Sequence, residues 1–345
     1  MEECNSSRTP YRSGIRIDRI EHDGIEPSNK AALVTAFQSI LGSLNWLSIN
    51  TRPDIAVAYK LLSQFNSNPS QGHLDAAKYV LRYLKGTSTH GICFAQDDNL
   101  LHACIGLPPE INDKDIILFT DSNWGPQDAS KPKENDTHTV TMEELRSIQG
   151  FHITRMGGPL YWGVSREKRG SRSSCIAELK AIDEGIKGIQ FIRHLMIQLG
   201  LPNINKPTPI LNDNRGSLDW IESGCRPSKK LRHENLAELG IEEAKNNNEV
   251  SFYWTPGSSN PADIYTKEDH NVQHYESIRD QILMRREDFG VSFTPVANRG
   301  VLNSRSGNRK HENYLTTRTK SKSMTHHEDE SLVIGKIVCP PITSE

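Results

Sequence analysis

Four carboxylates stand at places in this sequence where a side chain can be held rigidly. Asp121 closes the apolar run "IILFTD", and Asp213 closes a second short run, "TPILND". Glu178 lies near the start of the longest helical segment, "SSCIAELKAI", and Asp263 lies in the first turn of a segment opening "NPADIY". Each has an ordinary explanation. An aspartate after a strand opens a turn by accepting hydrogen bonds from the next amides, and acids near a helix start complement its dipole. Jointly those explanations weaken, because nothing structural requires acids at all four positions. The chemistry that does require them is two-metal phosphoryl transfer, in which divalent ions roughly 4 Å apart activate a water and stabilise the leaving oxygen of a phosphodiester. Mg²⁺ takes hard oxygen ligands and keeps some waters, so a few carboxylates suffice. Strand ends and helix starts are stiff enough to aim them.

The elements that must position these acids follow from the apolar pattern. From residue 115 the order is strand, two strands around a Gly157-Gly158 hairpin turn, long helix, strand, helices, strand and a last helix capped by Asn260 with Pro261 in its first turn. Three strands joined by tight turns and then helix-linked ones predict a mixed sheet with helices on its faces. "GICFAQDDN" precedes it and reads as turn chemistry rather than a polymerase aspartate pair.

Upstream, residues 30 to 86 read as a small helical unit. Leu33, Phe37, Ile40, Leu44 and Leu47 share one helix face, "TRPD" interrupts at Pro53, and two further helices follow, the last closed by Gly86. That last helix carries Lys78, Arg82 and Lys85 along one face with Tyr79 and Tyr83 interleaved. Basic residues beside aromatics suit a nucleic-acid backbone; a solvated face with lysine stems over apolar neighbours is the plainer reading. The organisation is therefore an irregular lead-in over 1–28, a helical segment over 29–90, a sheet domain over 91–285 and a polar, disordered tail over 286–345.

Composition bounds the classes of function. With 345 residues, 35% hydrophobic and 24% charged, the chain can bury a core, and its net charge of -2 leaves any basic surface to be local. Six scattered cysteines without a C-x-x-C pair argue against zinc and disulfide frameworks and suit a reducing compartment. The polar N-terminus lacks a signal core, and no apolar run reads as long enough to span a bilayer. The expectation is a soluble, intracellular protein of cytoplasm or nucleus, without a membrane partner.

At this level the residues resemble a known family. "GSLNWLSINTRPDIAVAYKLLSQFNSNPSQGHLDAAKYVLRYLKGT" resembles the segment after the polymerase core in copia-type LTR retrotransposon reverse transcriptases, with "TRPDI", "LSQF", Pro69 with His73, and "LRYLKGT" the specific elements. "TDSNWG", "AELKAI", "NDNRGS" and "ADIYTK" resemble the RNase H domain that follows it in those polyproteins. The likeness covers roughly residues 8 to 270.

The resemblance implies an RNase H-like α/β fold, a mixed five-stranded sheet preceded by a small all-α unit similar to a reverse-transcriptase thumb or connection. It maps the catalytic, metal-binding acids onto Asp121, Glu178, Asp213 and Asp263, and it implies two Mg²⁺ ions, with Mn²⁺ as substitute. It also raises Lys78, Arg82 and Lys85, and adds Lys230, Arg232 and His233 of "KKLRHENL", as nucleic-acid contacts. The implied activity is hydrolysis of the RNA strand of an RNA–DNA hybrid, with discrimination by the 2′-hydroxyl and hybrid shape.

The sequence departs from the family at several points. Asn123 replaces a common second acid, Ile176 replaces an acid two residues before Glu178, the loop after Trp124 is long, and no histidine lies just before Asp263. No polymerase palm, integrase or zinc-knuckle array is found, so the chain reads as the C-terminal part of a copia-type polyprotein and polymerisation is not expected. The alternative is a catalytically inactive nucleic-acid-binding remnant; a further one is a module pairing with a separately encoded polymerase palm.

Overall fold

The computed structural model describes residues 4–12, 17, 20, 27–94, 107–108, 110–111, 115–124, 146–168, 170–201, 206–224, 235–267, 271–285, 332–334 and 337–339. Lys230, Arg232 and His233 lie outside the described residues, as does most of the segment read as a disordered tail. Within that tail, Leu332–Ile334 and Ile337–Cys339 pair as two short antiparallel strands.

Three helices open the chain: α1 (Pro27–Asn50), α2 (Ala56–Ser63) and α3 (Gln71–Gly86). Helix α1 stops before Pro53, which starts a 3₁₀ turn over Pro53–Ile55, as the backbone restriction of the residue before proline requires. Ser70 caps α3 by accepting from the His73 amide, and the His73 ring accepts from the Ser70 amide at 3.0 Å. These two bonds satisfy orphan donors of the first turn. Arg52 and Asp54 form a buried ion pair beneath the helices, with Arg52 also donating to the Thr87 carbonyl at 3.0 Å. Helix α1 is long and apolar enough, by length and composition alone, to meet the criterion for a membrane span, contrary to the sequence reading. Its Phe37, Leu41 and Leu44 are spent on the protein core, while Trp46 and Ile49 stay exposed.

The sheet comprises β2 (Ile117–Asn123), β3 (Ile148–Arg155), β4 (Gly158–Arg166), β5 (Thr208–Asn212) and β6 (Val250–Trp254), in the spatial order β4-β3-β2-β5-β6. A two-residue strand, β1 (His90–Gly91), pairs separately with β7 (Met284–Arg285). Strands β2, β3 and β4 form an antiparallel meander, and β5 and β6 add to β2 in parallel. The expected mixed five-stranded sheet is therefore present. Its hairpin turns one residue earlier than the sequence reading: Met156 and Gly157 take positive φ of 52° and 70°, as a tight hairpin turn demands. Gly158 instead begins β4, where a Cβ would fall 2.4 Å from the Phe94 ring.

Alternation along β2 divides the core between two faces. Ile117 and Phe119 join Leu211, the three helices and Tyr265, Tyr275 and Ile278. Leu118 joins Ile153, Ile210 and Val250 under α4 (Ser174–Gln198) and α6 (Asn235–Asn246). The helical unit thus shares one continuous core with a sheet face, and the Trp162 indole of β4 donates to the Ser48 carbonyl of α1 at 2.8 Å. On the opposite face, Gly185 lets α4 approach β2, since a Cβ there would meet Leu118 at 2.8 Å. Two further helices complete the fold, α5 (Arg215–Glu222) after β5 and α7 (Val272–Ile282) near the C-terminal end.

Candidate active site

The acids are placed by a divergence between strands. Strand β2 stays paired with β3 through Asn123, so Asp121, opposite Gly150, lies inside the strand rather than at its end. Its parallel pairing with β5 stops at Phe119 and Leu211. Beyond that point the two strands open a crevice at their carboxyl ends, the usual location of a site in such a sheet. Asp121 projects from one wall, and Asp213, first residue after β5, from the other. Glu178, on the second turn of α4, descends into the crevice from the helix face.

Ligand oxygens of Asp121, Glu178 and Asp213 lie within 4.8 Å of one another. Asp121 and Glu178 are almost fully buried, and Asp213 is partly open. Glu178 is fixed at both oxygens: Ser122 donates to Oε1 from its amide at 3.1 Å and its hydroxyl at 3.0 Å, and Asn212 donates to Oε2 at 2.9 Å. Asn212 further bridges to the Thr120 carbonyl at 3.2 Å, tying β5 to β2 where the ladder has ended. Thr266 donates to Asp121, and Asn260 donates to the Thr120 carbonyl at 2.9 Å.

Electrostatics within the group are unfavourable to three charges. Burial, then Asp121 and Asp213, push the Glu178 carboxyl well above the ordinary carboxylate range, against the opposing bonds from Asn212 and Ser122. Burial and Asp121 raise Asp213 to about 6, with the Lys267 ammonium acting in the other direction. An all-oxygen, hard donor set with uncompensated like charge fits a divalent cation such as Mg²⁺ or Mn²⁺. Gly257 closes the Asp213 side: a Cβ there would stand 2.6 Å from Asp213 Oδ2, so the turn packs directly against the carboxylate.

Asp263 stands outside this close group. It lies in a short 3₁₀ turn, Pro261–Tyr265, rather than in the first turn of a long helix, although Asn260 does cap it by accepting from the Ala262 amide. Its carboxylate is buried and engages the Lys267 ammonium, four residues on, and His274 Nε2 at 2.9 Å. Burial and Lys267 hold the His274 ring below its usual range. His274 reaches Asp263 from α7, after the acid in sequence, so a search for a histidine just before it could not find the pair. The residues that orient the acids, Ser122, Asn212, Asn260 and Thr266, stand one to three residues from them, and that adjacency was the signal available.

The basic stripe on α3 is engaged within the chain. Arg82 donates to the Asn5 carbonyl at 2.7 Å and Lys85 to the Cys4 carbonyl at 2.8 Å, which straps the N-terminal segment to the helix. Lys78 lies 3.7 Å from Asp75, and Arg82 also lies over the Tyr79 ring at 5.4 Å.

No family model matches this chain. Among curated proteins it is 31% identical over 184 residues to the retrovirus-related Pol polyprotein from transposon RE1 of Arabidopsis thaliana, an alignment covering 53% of this chain and 10% of that one. The chain is a relative of transposon Pol polyproteins. It is also 25% identical over 231 residues to the corresponding polyprotein from transposon TNT 1-94 of Nicotiana tabacum, covering 67% of this chain and 15% of the relative. These relatives bear out the copia-type resemblance read from the motifs, and the chain spans 10% and 15% of their lengths. Among solved structures, a crystal structure of LC11-RNase H1 in complex with an RNA/DNA hybrid aligns at 15% identity and a TM-score of 0.29, covering 44% of this chain and 94% of that one.

Proposed function

We propose that this chain is a ribonuclease H of retrotransposon origin, hydrolysing the RNA strand of RNA–DNA hybrids with Mg²⁺. The observation that carries the reading is the convergence of Asp121, Glu178 and Asp213 oxygens to within 4.8 Å at the mouth of the sheet crevice. These three residues would hold a divalent ion, and Asp263, now engaged by Lys267 and His274, would contribute to a second ion if Lys267 were displaced. When bound, such ions polarise a phosphodiester and lower the pKa of water.

The chain's own residues supply rigidity and charge. Ser122 and Asn212 hold the Glu178 carboxylate in one rotamer, and Thr266 holds Asp121. Burial raises Glu178 and Asp213, so metal loading and proton release would be coupled. Asp213 leaves the acid group partly open at the strand ends, where a duplex backbone would approach, and selection of the RNA strand would rest on its 2′-hydroxyls rather than on base edges.

The test is a substrate panel: end-labelled RNA–DNA hybrid, single-stranded RNA, RNA duplex and DNA duplex, each with Mg²⁺ and with chelator. Cleavage confined to the RNA strand of the hybrid and abolished by chelator is the expected result. A folded protein that binds the hybrid without cutting it would support the inactive remnant instead.

A further inference from the structure

Two tryptophans flank the acid crevice with their rings in solvent. Trp124, three residues after Asp121, is 45% exposed, and Trp254, at the end of β6, is 41% exposed. Both indole N–H groups are already used. Trp124 donates to the Ser171 carbonyl at 2.9 Å, and Trp254 donates to the carbonyl of Asp213 at 3.0 Å. Each N–H bond restrains its ring while much of the indole stays exposed.

Trp254 carries a second feature. The Arg215 guanidinium, from the first position of α5, lies 4.2 Å from the centre of its ring. Arg215 is exposed, and among the described residues no carboxylate lies within ion-pair distance of it. The ring contact restrains the guanidinium, and among the described residues its N–H groups make no hydrogen bond. A guanidinium oriented in this way matches phosphate oxygens in geometry and charge. It sits two residues from Asp213, so any phosphate it held would belong to nucleic acid passing beside the metal ligands.

We propose that the Arg215–Trp254 stack binds a backbone phosphate of the nucleic acid on the Asp213 side of the crevice, with Arg215 as the contact and Trp254 as its positioning residue. This rests on the hybrid-cleaving reading of the site and extends it to a contact outside the acids. The ligand chemistry is a phosphodiester, not a base edge, so the contact is indifferent to sequence.

The experiment is hybrid binding by the full chain, followed by fluorescence anisotropy in chelator, at several salt concentrations. Arg215→Ala should weaken binding roughly tenfold and reduce the slope of log affinity against log salt by about one, the value for one lost phosphate contact. Arg215→Lys should keep the slope while losing part of the affinity. Trp254→Ala should weaken binding, and the double variant should bind no more weakly than Arg215→Ala alone, because the tryptophan acts through the arginine. Near-UV circular dichroism checks that Trp254→Ala folds. Wild-type affinity and slope in Arg215→Ala would overturn the proposal while leaving hybrid cleavage standing. A wild-type chain that neither binds nor cuts the hybrid would overturn both.

Discussion

Replacing Asp213 by Asn should make the metal-free protein more stable and the metal-loaded protein no more stable than that. At 4.8 Å and an effective dielectric of about 20, two carboxylates repel by roughly 3.5 kcal/mol. Asp213 rises from its ordinary 3.8 to about 6, chiefly through burial and then through Asp121, so the repulsion is only part of the shift. Asp213 is partly open to water, which screens the repulsion, so we expect a gain of about 1–2 kcal/mol, or a few degrees in Tm. The sign with pH is fixed by the raised value. A carboxyl that holds its proton more tightly when folded favours the native state below its unfolded pKa, and that advantage is lost as pH rises from about 4 through 6. The gain from Asp213→Asn is therefore absent near pH 4 and complete above pH 6. Mg²⁺ at about a hundred times its Kd should add roughly 2.7 kcal/mol to the wild type and almost nothing to the variant. Urea unfolding followed by circular dichroism at pH 4 and pH 7.5, with and without Mg²⁺, measures all four quantities. A variant destabilised equally at both pH values would refute the electrostatic account, as would a wild type indifferent to Mg²⁺.

Gly257→Ala places a methyl 2.6 Å from Asp213 Oδ2 and forces that carboxylate to shift, so Mn²⁺ affinity measured by electron paramagnetic resonance should fall roughly tenfold with the fold intact. Asn212→Ala removes the bonds to Glu178 and Thr120 and should cost about 1–3 kcal/mol in urea unfolding. It should also move the pH midpoint of Mg²⁺-dependent stabilisation upward, because Asn212 favours the ionised form of Glu178; an unchanged midpoint would contradict this. Arg52→Ala leaves Asp54 charged, buried and without its partner, and unfolding should become easier by about 3–5 kcal/mol. A smaller Arg52 effect, within 1 kcal/mol, would mean that water reaches Asp54.

Much of this arrangement is legible in the sequence because its determinants are local. The alternation of Ile117, Leu118 and Phe119 sets two buried faces, the apolar spacing of α1 sets one, and Pro53 and Ser70 mark helix boundaries by backbone chemistry alone. The acids could be picked out because each sits within a few residues of a recognisable terminus. What could not be read depends on partners distant in sequence. Strand β2 outruns Asp121 because β3 continues to pair with it through Asn123, a fact about register. Asp263 turns to Lys267 and to His274, the latter brought in by α7. Arg82 and Lys85 look like free basic charge until Cys4 and Asn5 are laid against them. The apolar length of α1 escapes a reading by residue pattern because serines and asparagines interrupt it.

The most direct measurement is single-turnover cleavage of a labelled RNA–DNA hybrid in Mg²⁺ by the wild-type chain and by Asp121→Asn. Asp121 is a buried member of the acid group, and the account predicts RNA-strand cleavage by the wild type with a loss on the order of a thousandfold in the variant. Equal rates in the two proteins, or no cleavage by a wild type that binds both hybrid and metal, would contradict it.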